Sequence, residues 1–118
     1  MSRHLATVSH QAGEVQVLLG WDRPLQEHFM RLSWVRAPAR LKAEPGDSIW
    51  ESLWEALPLD PAERLARFRK VLSVQGLDAY QALFDTMFEQ IEWDAFFNEG
   101  NRIVQYDDRG GIVTRVNL

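Results

Sequence analysis

The chain has 118 residues, of which 46% are hydrophobic and 25% are charged. This composition is typical of one globular domain, and we expect residues 1–118 to fold as a single domain. Because the chain has no cysteine, disulfides, thiolate nucleophiles and cysteine-ligated metal sites are excluded. The net charge of −4 disfavours general nucleic-acid binding, which requires clustered Lys and Arg.

The sequence contains no sign of a membrane-spanning or targeting segment. No apolar run approaches the roughly 20 residues that a membrane-spanning helix requires. The residues after Met1 lack the apolar stretch of a signal peptide. We therefore expect a cytoplasmic protein without a membrane partner.

The first 35 residues predict a three-stranded antiparallel meander. Apolar and polar residues alternate over residues 3–9, 14–21 and 25–35, which is the period of half-buried strands. Phe29 breaks the alternation in the third segment, because it falls on the face that is otherwise polar. The meander is therefore expected to carry some apolar surface on its second face.

A loop over residues 36–47 separates these strands from a helical region. Apolar residues then recur at three- and four-residue spacing, which predicts helices over residues 48–57, 61–75 and 78–98.

Capping signals mark the starts of the first two predicted helices. Ser48 and Glu51 have the spacing of a capping box, in which each side chain satisfies a free backbone N–H of the first turn. Asp60 precedes Pro61, the combination of an N-cap residue and a proline at the first helical position. Asp78 is the expected cap of the third helix.

The C-terminal region predicts a hairpin over residues 102–106 and 112–116. The order of strands, helices and strands indicates a two-layer α+β fold. We expect a mostly antiparallel sheet of four or five strands, with the three helices on one face. The connections leave open which edge of the meander the hairpin joins.

The sequence contains no recognised motif for catalysis or cofactor binding. His4, His10 and His28 lack the local spacing of a metal site, although His4 and His10 share a strand face. No serine lies in a Gly-x-Ser-x-Gly elbow, and no glycine-rich phosphate loop is present. We expect no catalytic residue, no cofactor and no metal, so an enzyme is disfavoured.

Aromatic and charged residues indicate a binding surface instead. The chain has five tryptophans, a residue type enriched at interface hot spots, and Trp93 is expected to be exposed. An acidic stripe follows one face of the third helix, and a compact turn follows the second strand. The predicted partner-binding residues are Trp21, Asp22, Arg23, Phe29, Asp85, Glu89, Glu92 and Trp93.

The favoured interpretation is a small binding or regulatory module that acts through protein–protein contacts, with a foreign protein or with a second copy as in a homodimer. An alternative is a small enzyme or ligand-binding protein with a pocket between sheet and helices, lined by Asp22, Arg23, His28 and Tyr106. A third alternative is nucleic-acid binding through the basic loop at residues 36–42 and the basic face of the second helix.

Overall fold

Among residues 1–117, which the computed structural model describes, six strands form one mixed sheet. The strands are β1 (Ser2–His10), β2 (Gly13–Asp22), β3 (Glu27–Arg36), β4 (Ser48–Glu51), β5 (Arg102–Tyr106) and β6 (Ile112–Asn117). They lie in the order β4-β3-β2-β1-β5-β6. Two helices, α1 (Pro61–Val74) and α2 (Gln81–Phe96), pack on one face. The predicted two-layer α+β architecture is confirmed.

The predicted meander is confirmed by the pairing of β1 with β2 and of β2 with β3. Both pairs are antiparallel, and Ala6, Val17 and Leu32 lie opposite one another along one row. All three side chains are buried beneath the helices. Alternate residues point to the other face, as the period of two requires.

The prediction of a helix over residues 48–57 is wrong, because Ser48–Glu51 form strand β4 along β3. The Arg31 side chain explains the difference. Its Nε donates to the Ser48 hydroxyl at 2.9 Å and also lies 2.9 Å from a carboxylate oxygen of Glu51. The two residues with capping-box spacing are thus held by the neighbouring strand. The chain then makes only a short 3₁₀ turn at Ser52–Trp54.

Over residues 1–117, the sheet has six strands rather than the expected four or five, and it is mostly antiparallel as predicted, with one parallel junction. Strand β5 pairs with β1 in parallel, with Ser2 opposite Arg102 and His4 opposite Val104. The two helices form the crossover between the meander and β5, as parallel pairing requires a long connection. The predicted C-terminal hairpin is confirmed by the antiparallel pairing of β5 with β6.

The remaining two predicted helices exist, with adjusted boundaries. Asp60 caps α1 as predicted, because its carboxylate accepts a hydrogen bond from the Glu63 N–H at 3.0 Å. Helix α2 begins at Gln81, after a 3₁₀ turn at Asp78–Tyr80. Asp78 does not cap it, and its carboxylate accepts instead from the Ser73 hydroxyl at 3.3 Å.

The core lies between the sheet and the two helices. Its largest fully buried side chains include Phe68 of α1, with Phe84 and Phe88 of α2, packed over Leu19 and Leu32 of the sheet. Strand β6 extends beyond this layer, and all six of its residues are exposed.

On the face of the sheet away from the helices, Phe29 packs across Gly20 of the neighbouring strand. The two residues are register partners, and a Cβ added at Gly20 would overlap both the Phe29 ring and the Ser2 carbonyl oxygen. An aromatic ring that covers a strand glycine is a known way to complete the packing at such a position.

We predict that Gly20→Ala lowers the free energy of unfolding by about 1–3 kcal/mol, the range for overpacking a tight site. Chemical denaturation measures the change. Gly100→Ala is the matched control, because a Cβ there would meet its nearest neighbour, an Arg23 nitrogen, at 3.5 Å. Equal stability of the two variants would contradict the close approach at Gly20.

Candidate functional site

A buried polar network joins β1, α2 and β5. The two ring nitrogens of His4 lie 2.6 Å from the Tyr106 hydroxyl (Nδ1) and 2.6 Å from the Asp94 carboxylate (Nε2). Arg102 donates from Nη2 to the other Asp94 oxygen at 2.7 Å. His4 is 0% and Asp94 1% exposed, so this pair is sealed from solvent, whereas the Arg102 side chain is 14% exposed.

The protonation states of this network follow from its surroundings. Burial by itself would raise the pKa of Asp94, but hydrogen bonds from His4 and Ser2 and the charges of His4 and Arg102 hold that pKa below its usual value. Burial raises the pKa of Tyr106 to about 12. Asp94 is therefore ionised near neutral pH and accepts a hydrogen bond from His4 Nε2–H.

The linked carboxylate, imidazole and hydroxyl resemble a proton relay in connectivity alone. A relay needs a hydroxyl that a substrate can reach and that gives up its proton readily. Tyr106 is 5% exposed and its raised pKa opposes ionisation. The arrangement is therefore suited to fastening three elements together.

We predict that Tyr106→Phe lowers the free energy of unfolding by about 1–3 kcal/mol, because it leaves a buried imidazole nitrogen without a partner. Tyr80→Phe is the control, since it removes a hydroxyl that bonds the Ser9 carbonyl at a more exposed position. We expect a smaller loss there. Denaturation of both variants at neutral pH measures the difference, and equal losses would contradict a special role for the buried network.

A second buried histidine, His28, fastens β3 to both helices. Its Nε2 donates to the Ile91 carbonyl of α2 at 2.8 Å, and Arg64 of α1 donates to the His28 carbonyl at 2.7 Å. Burial lowers the pKa of His28. The hydrogen bond to Ile91 and the charges of Glu92 and Asp94 oppose this shift, whereas the charge of Arg64 adds to it.

This shift predicts a pH dependence of stability. The unfolded chain protonates His28 near its usual pKa of 6.5, whereas the folded chain does so only at lower pH. The unfolded state therefore binds more protons between the two values, and stability falls as the pH drops below about 6.5. The contribution of Asp94, whose folded pKa is lowered from 3.8, is lost only in the acid range below that value.

We predict that His28→Gln, which keeps a donor for the Ile91 carbonyl, reduces the loss of stability between about pH 7.5 and pH 5.5. Denaturant titrations of both proteins at the two pH values measure this loss. An unchanged loss in the variant would show that His28 is not the responsible group.

The predicted turn residues divide between buried and exposed positions. Trp21 is 6% exposed, and its indole N–H donates to the Asn98 side chain at 3.3 Å. Asp22 accepts from the Leu25 N–H within the turn at 3.2 Å, and Arg23 is exposed. Because Gln26 also donates to Asn98, at 2.7 Å, the β2–β3 turn is tied to the loop that follows α2. The buried Trp21 therefore helps to fix the corner formed by the β2–β3 turn and the loop after α2.

Phe29 lies on the face of the sheet away from the helices, as its position in the alternation predicts. Together with the exposed Leu25 and Leu53, it lines an apolar groove of about 190 Å³. The charged side chains of this groove have partners within the chain, and Asp22 accepts from the Leu25 N–H at 3.2 Å. Arg31 pairs with Glu51 at 2.9 Å, and Arg64 lies 3.9 Å from Glu27.

Trp93 is exposed, as predicted, and it belongs to a cluster that we call the aromatic end of α2, formed by Trp93, Phe96 and Phe97. The ring of Phe97 stacks on Trp93 with 5.6 Å between centroids, while Phe96 meets it edge-on at 5.8 Å. The three residues are 48%, 75% and 64% exposed, respectively. Phe96 and Phe97 were not among the predicted binding residues, although the sequence shows these two phenylalanines three and four residues after Trp93.

The acidic stripe of α2 has two different parts. Asp85 pairs with Arg69 of α1 at 2.8 Å. Within residues 1–117, neither Glu89 nor Glu92 has a Lys or Arg nitrogen within 4.0 Å. These two glutamates line a hollow of about 300 Å³ together with Trp93 and Phe96. The predicted acidic and aromatic residues thus meet at one place.

The residues of the alternative pocket are not brought together. His28 borders a small cavity of about 90 Å³ between the β2–β3 turn and α1, whereas Tyr106 belongs to the buried network. Asp22 and Arg23 lie at the corner described above. His4 and His10 are also separate, since the ring of His10 stacks on Trp34. No group of three or more His, Asp or Glu side chains suited to a metal occurs within residues 1–117.

The basic loop is engaged in local contacts. Arg36 lies 3.5 Å from Glu14 and donates to the Ala12 carbonyl at 2.9 Å, and Arg40 donates to the Gln11 side chain. These bonds fix the loop against the β1–β2 turn.

Comparisons with models of protein families, with curated proteins and with solved structures found no match to this chain. In the part of the chain that the structure describes, no helix is long and apolar enough to cross a membrane.

Proposed function

We propose that this protein is a small protein-binding module whose binding surface is the aromatic end of α2. The observation that carries the proposal is the exposure of three large aromatic side chains that contact one another. Contiguous exposed apolar surface marks interaction sites, and Trp and Phe are enriched at interface centres. Covering these rings removes apolar area from water, which is the main favourable term in protein association.

The aromatic end is a better candidate than the groove beside Phe29 for an electrostatic reason. In the groove, both arginines lie against carboxylates of the same chain, and the Asp22 carboxylate accepts from the Leu25 N–H. At the aromatic end, Glu89 and Glu92 have no such partner within residues 1–117. Unmatched charge at the rim of an apolar surface orients an incoming partner of opposite charge.

The corner that contains Asp22 and Arg23 lies beside this surface. Phe97 is followed directly by Asn98, which bonds both Trp21 and Gln26. The exposed Arg23 is therefore a candidate for the rim of the same interface. We place the module in the cytoplasm because a cysteine-free chain suits a reducing compartment.

We predict that a photocrosslinking residue, p-benzoylphenylalanine, in place of Phe96 yields covalent protein adducts in producing cells. The same residue in place of Val74, which is 72% exposed on α1, is the control and is expected to yield few. Gel shifts and mass spectrometry measure the adducts. A product near twice the mass of 13.7 kDa identifies a second copy as the occupant, and a heavier set of products identifies a foreign protein.

A second substitution ties the adducts to the surface. Trp93→Glu in the Phe96 crosslinking variant is expected to abolish them, because it places a charge among the aromatic rings. Adducts at position 96 that do not exceed those at position 74 would rule out the aromatic end as the binding surface.

A further inference from the structure

The hollow at the aromatic end combines two kinds of group that attract the same ligand. Its lining consists of two carboxylates, Glu89 and Glu92, and two aromatic rings, Trp93 and Phe96. A carboxylate attracts a cation through its charge, and an aromatic face attracts it through the ring quadrupole, most strongly for Trp. Its volume of about 300 Å³ lies at the lower limit of ligand pockets, which suits one side chain better than a large ligand.

The same helix already holds a cation in this way one turn earlier. The guanidinium of Arg69 lies 4.4 Å from the centre of the Phe88 ring and bonds the Asp85 carboxylate at 2.8 Å. A carboxylate and a ring on α2 thus bind an arginine supplied by α1. Glu89, Glu92, Trp93 and Phe96 place the same two kinds of group one and two turns further along, with both rings exposed rather than buried.

No residue of this chain can supply the second cation from α2 or its flanks. The sequence contains no Lys or Arg between Lys70 and Arg102. Arg102 itself is bonded to the buried Asp94 carboxylate at 2.7 Å. The repeated carboxylate–aromatic pairs therefore lack the ligand that Arg69 provides to the first pair.

We infer that the hollow receives an arginine side chain of the protein partner. This inference rests on the proposed function, because it names the group that the aromatic end recognises. Arginine fits better than lysine, since its planar guanidinium stacks on aromatic rings while its N–H groups bond carboxylates. The neighbouring Phe97 then lies outside the hollow, where it can cover apolar atoms next to that arginine in the partner.

The test uses two short peptides that differ at one residue, acetyl-Ala-Arg-Ala-amide and the same peptide with citrulline, the neutral isostere of arginine. Binding is followed by NMR through the indole N–H signal of Trp93, which is assigned by its absence from Trp93→Phe. We expect saturable shifts with the arginine peptide and affinity about tenfold weaker for the citrulline peptide. Higher salt should weaken the arginine peptide alone.

The variant Glu89→Gln/Glu92→Gln is expected to reduce affinity for the arginine peptide about tenfold. Its matched control, Glu44→Gln/Asp108→Asn, removes two exposed carboxylates elsewhere and should retain binding. Equal affinity for the two peptides, equal loss in the two double variants, or no shift of the Trp93 signal up to the solubility limit would each overturn the inference.

The two proposals fail separately. If position 96 crosslinks to protein but the arginine peptide does not bind, the binding-module proposal is supported and arginine is excluded as the ligand. Arginine binding without crosslinked protein shows that the hollow binds a cation but overturns the claim that a protein partner supplies it.

Discussion

The fold depends on the buried contact between Asp94 and its partners on two strands. Strands β1 and β5 form the parallel junction that joins the C-terminal hairpin to the meander, and Asp94 reaches His4 on one and Arg102 on the other. A buried carboxylate is costly unless it is fully paired. Here Arg102 supplies the opposite charge and His4 supplies a hydrogen bond, so pairing of the Asp94 carboxylate favours the alignment of α2 that brings it to both strands.

The orientation of α2 that Asp94 fixes also determines where the aromatic end lies. Asp94 and Trp93 are consecutive residues of α2, and they are 1% and 48% exposed. Neighbouring residues of a helix are about 100° apart around its axis, so a fixed orientation for Asp94 directs Trp93 away from the core. The buried network and the proposed binding surface are therefore linked through two adjacent residues of α2. Under the proposed function, a partner would meet aromatic rings whose position is already determined, which lowers the entropic cost of binding.

Sequence reasoning succeeded where local pattern and tertiary structure agree, as in the alternation of the meander and the Asp60 cap. It failed at Ser48–Glu51, where Arg31 of the adjacent strand outweighs a local helical signal. The buried polar network could not be predicted from the sequence, because His4 and Asp94 are 90 residues apart and nothing local marks them as partners. Trp93, Glu89 and Glu92 were predictable because helical spacing alone brings them together. The pairing of Asp85 with Arg69 was foreseeable only as one of several charge contacts.

The end of α2 shows why the exposed rings need an explanation beyond packing. Ile91 and Asp94 make the last buried contacts of the helix, yet it continues to Phe96, and Phe97 follows as its C-cap. Asn98 then adopts a positive φ of 51°, and the chain turns back to enter β5 at Arg102. Phe96 and Phe97 lie past the last core contact and extend the exposed surface around Trp93. The proposed role in recognition would account for that extension, because a partner would supply contacts that their own chain does not provide.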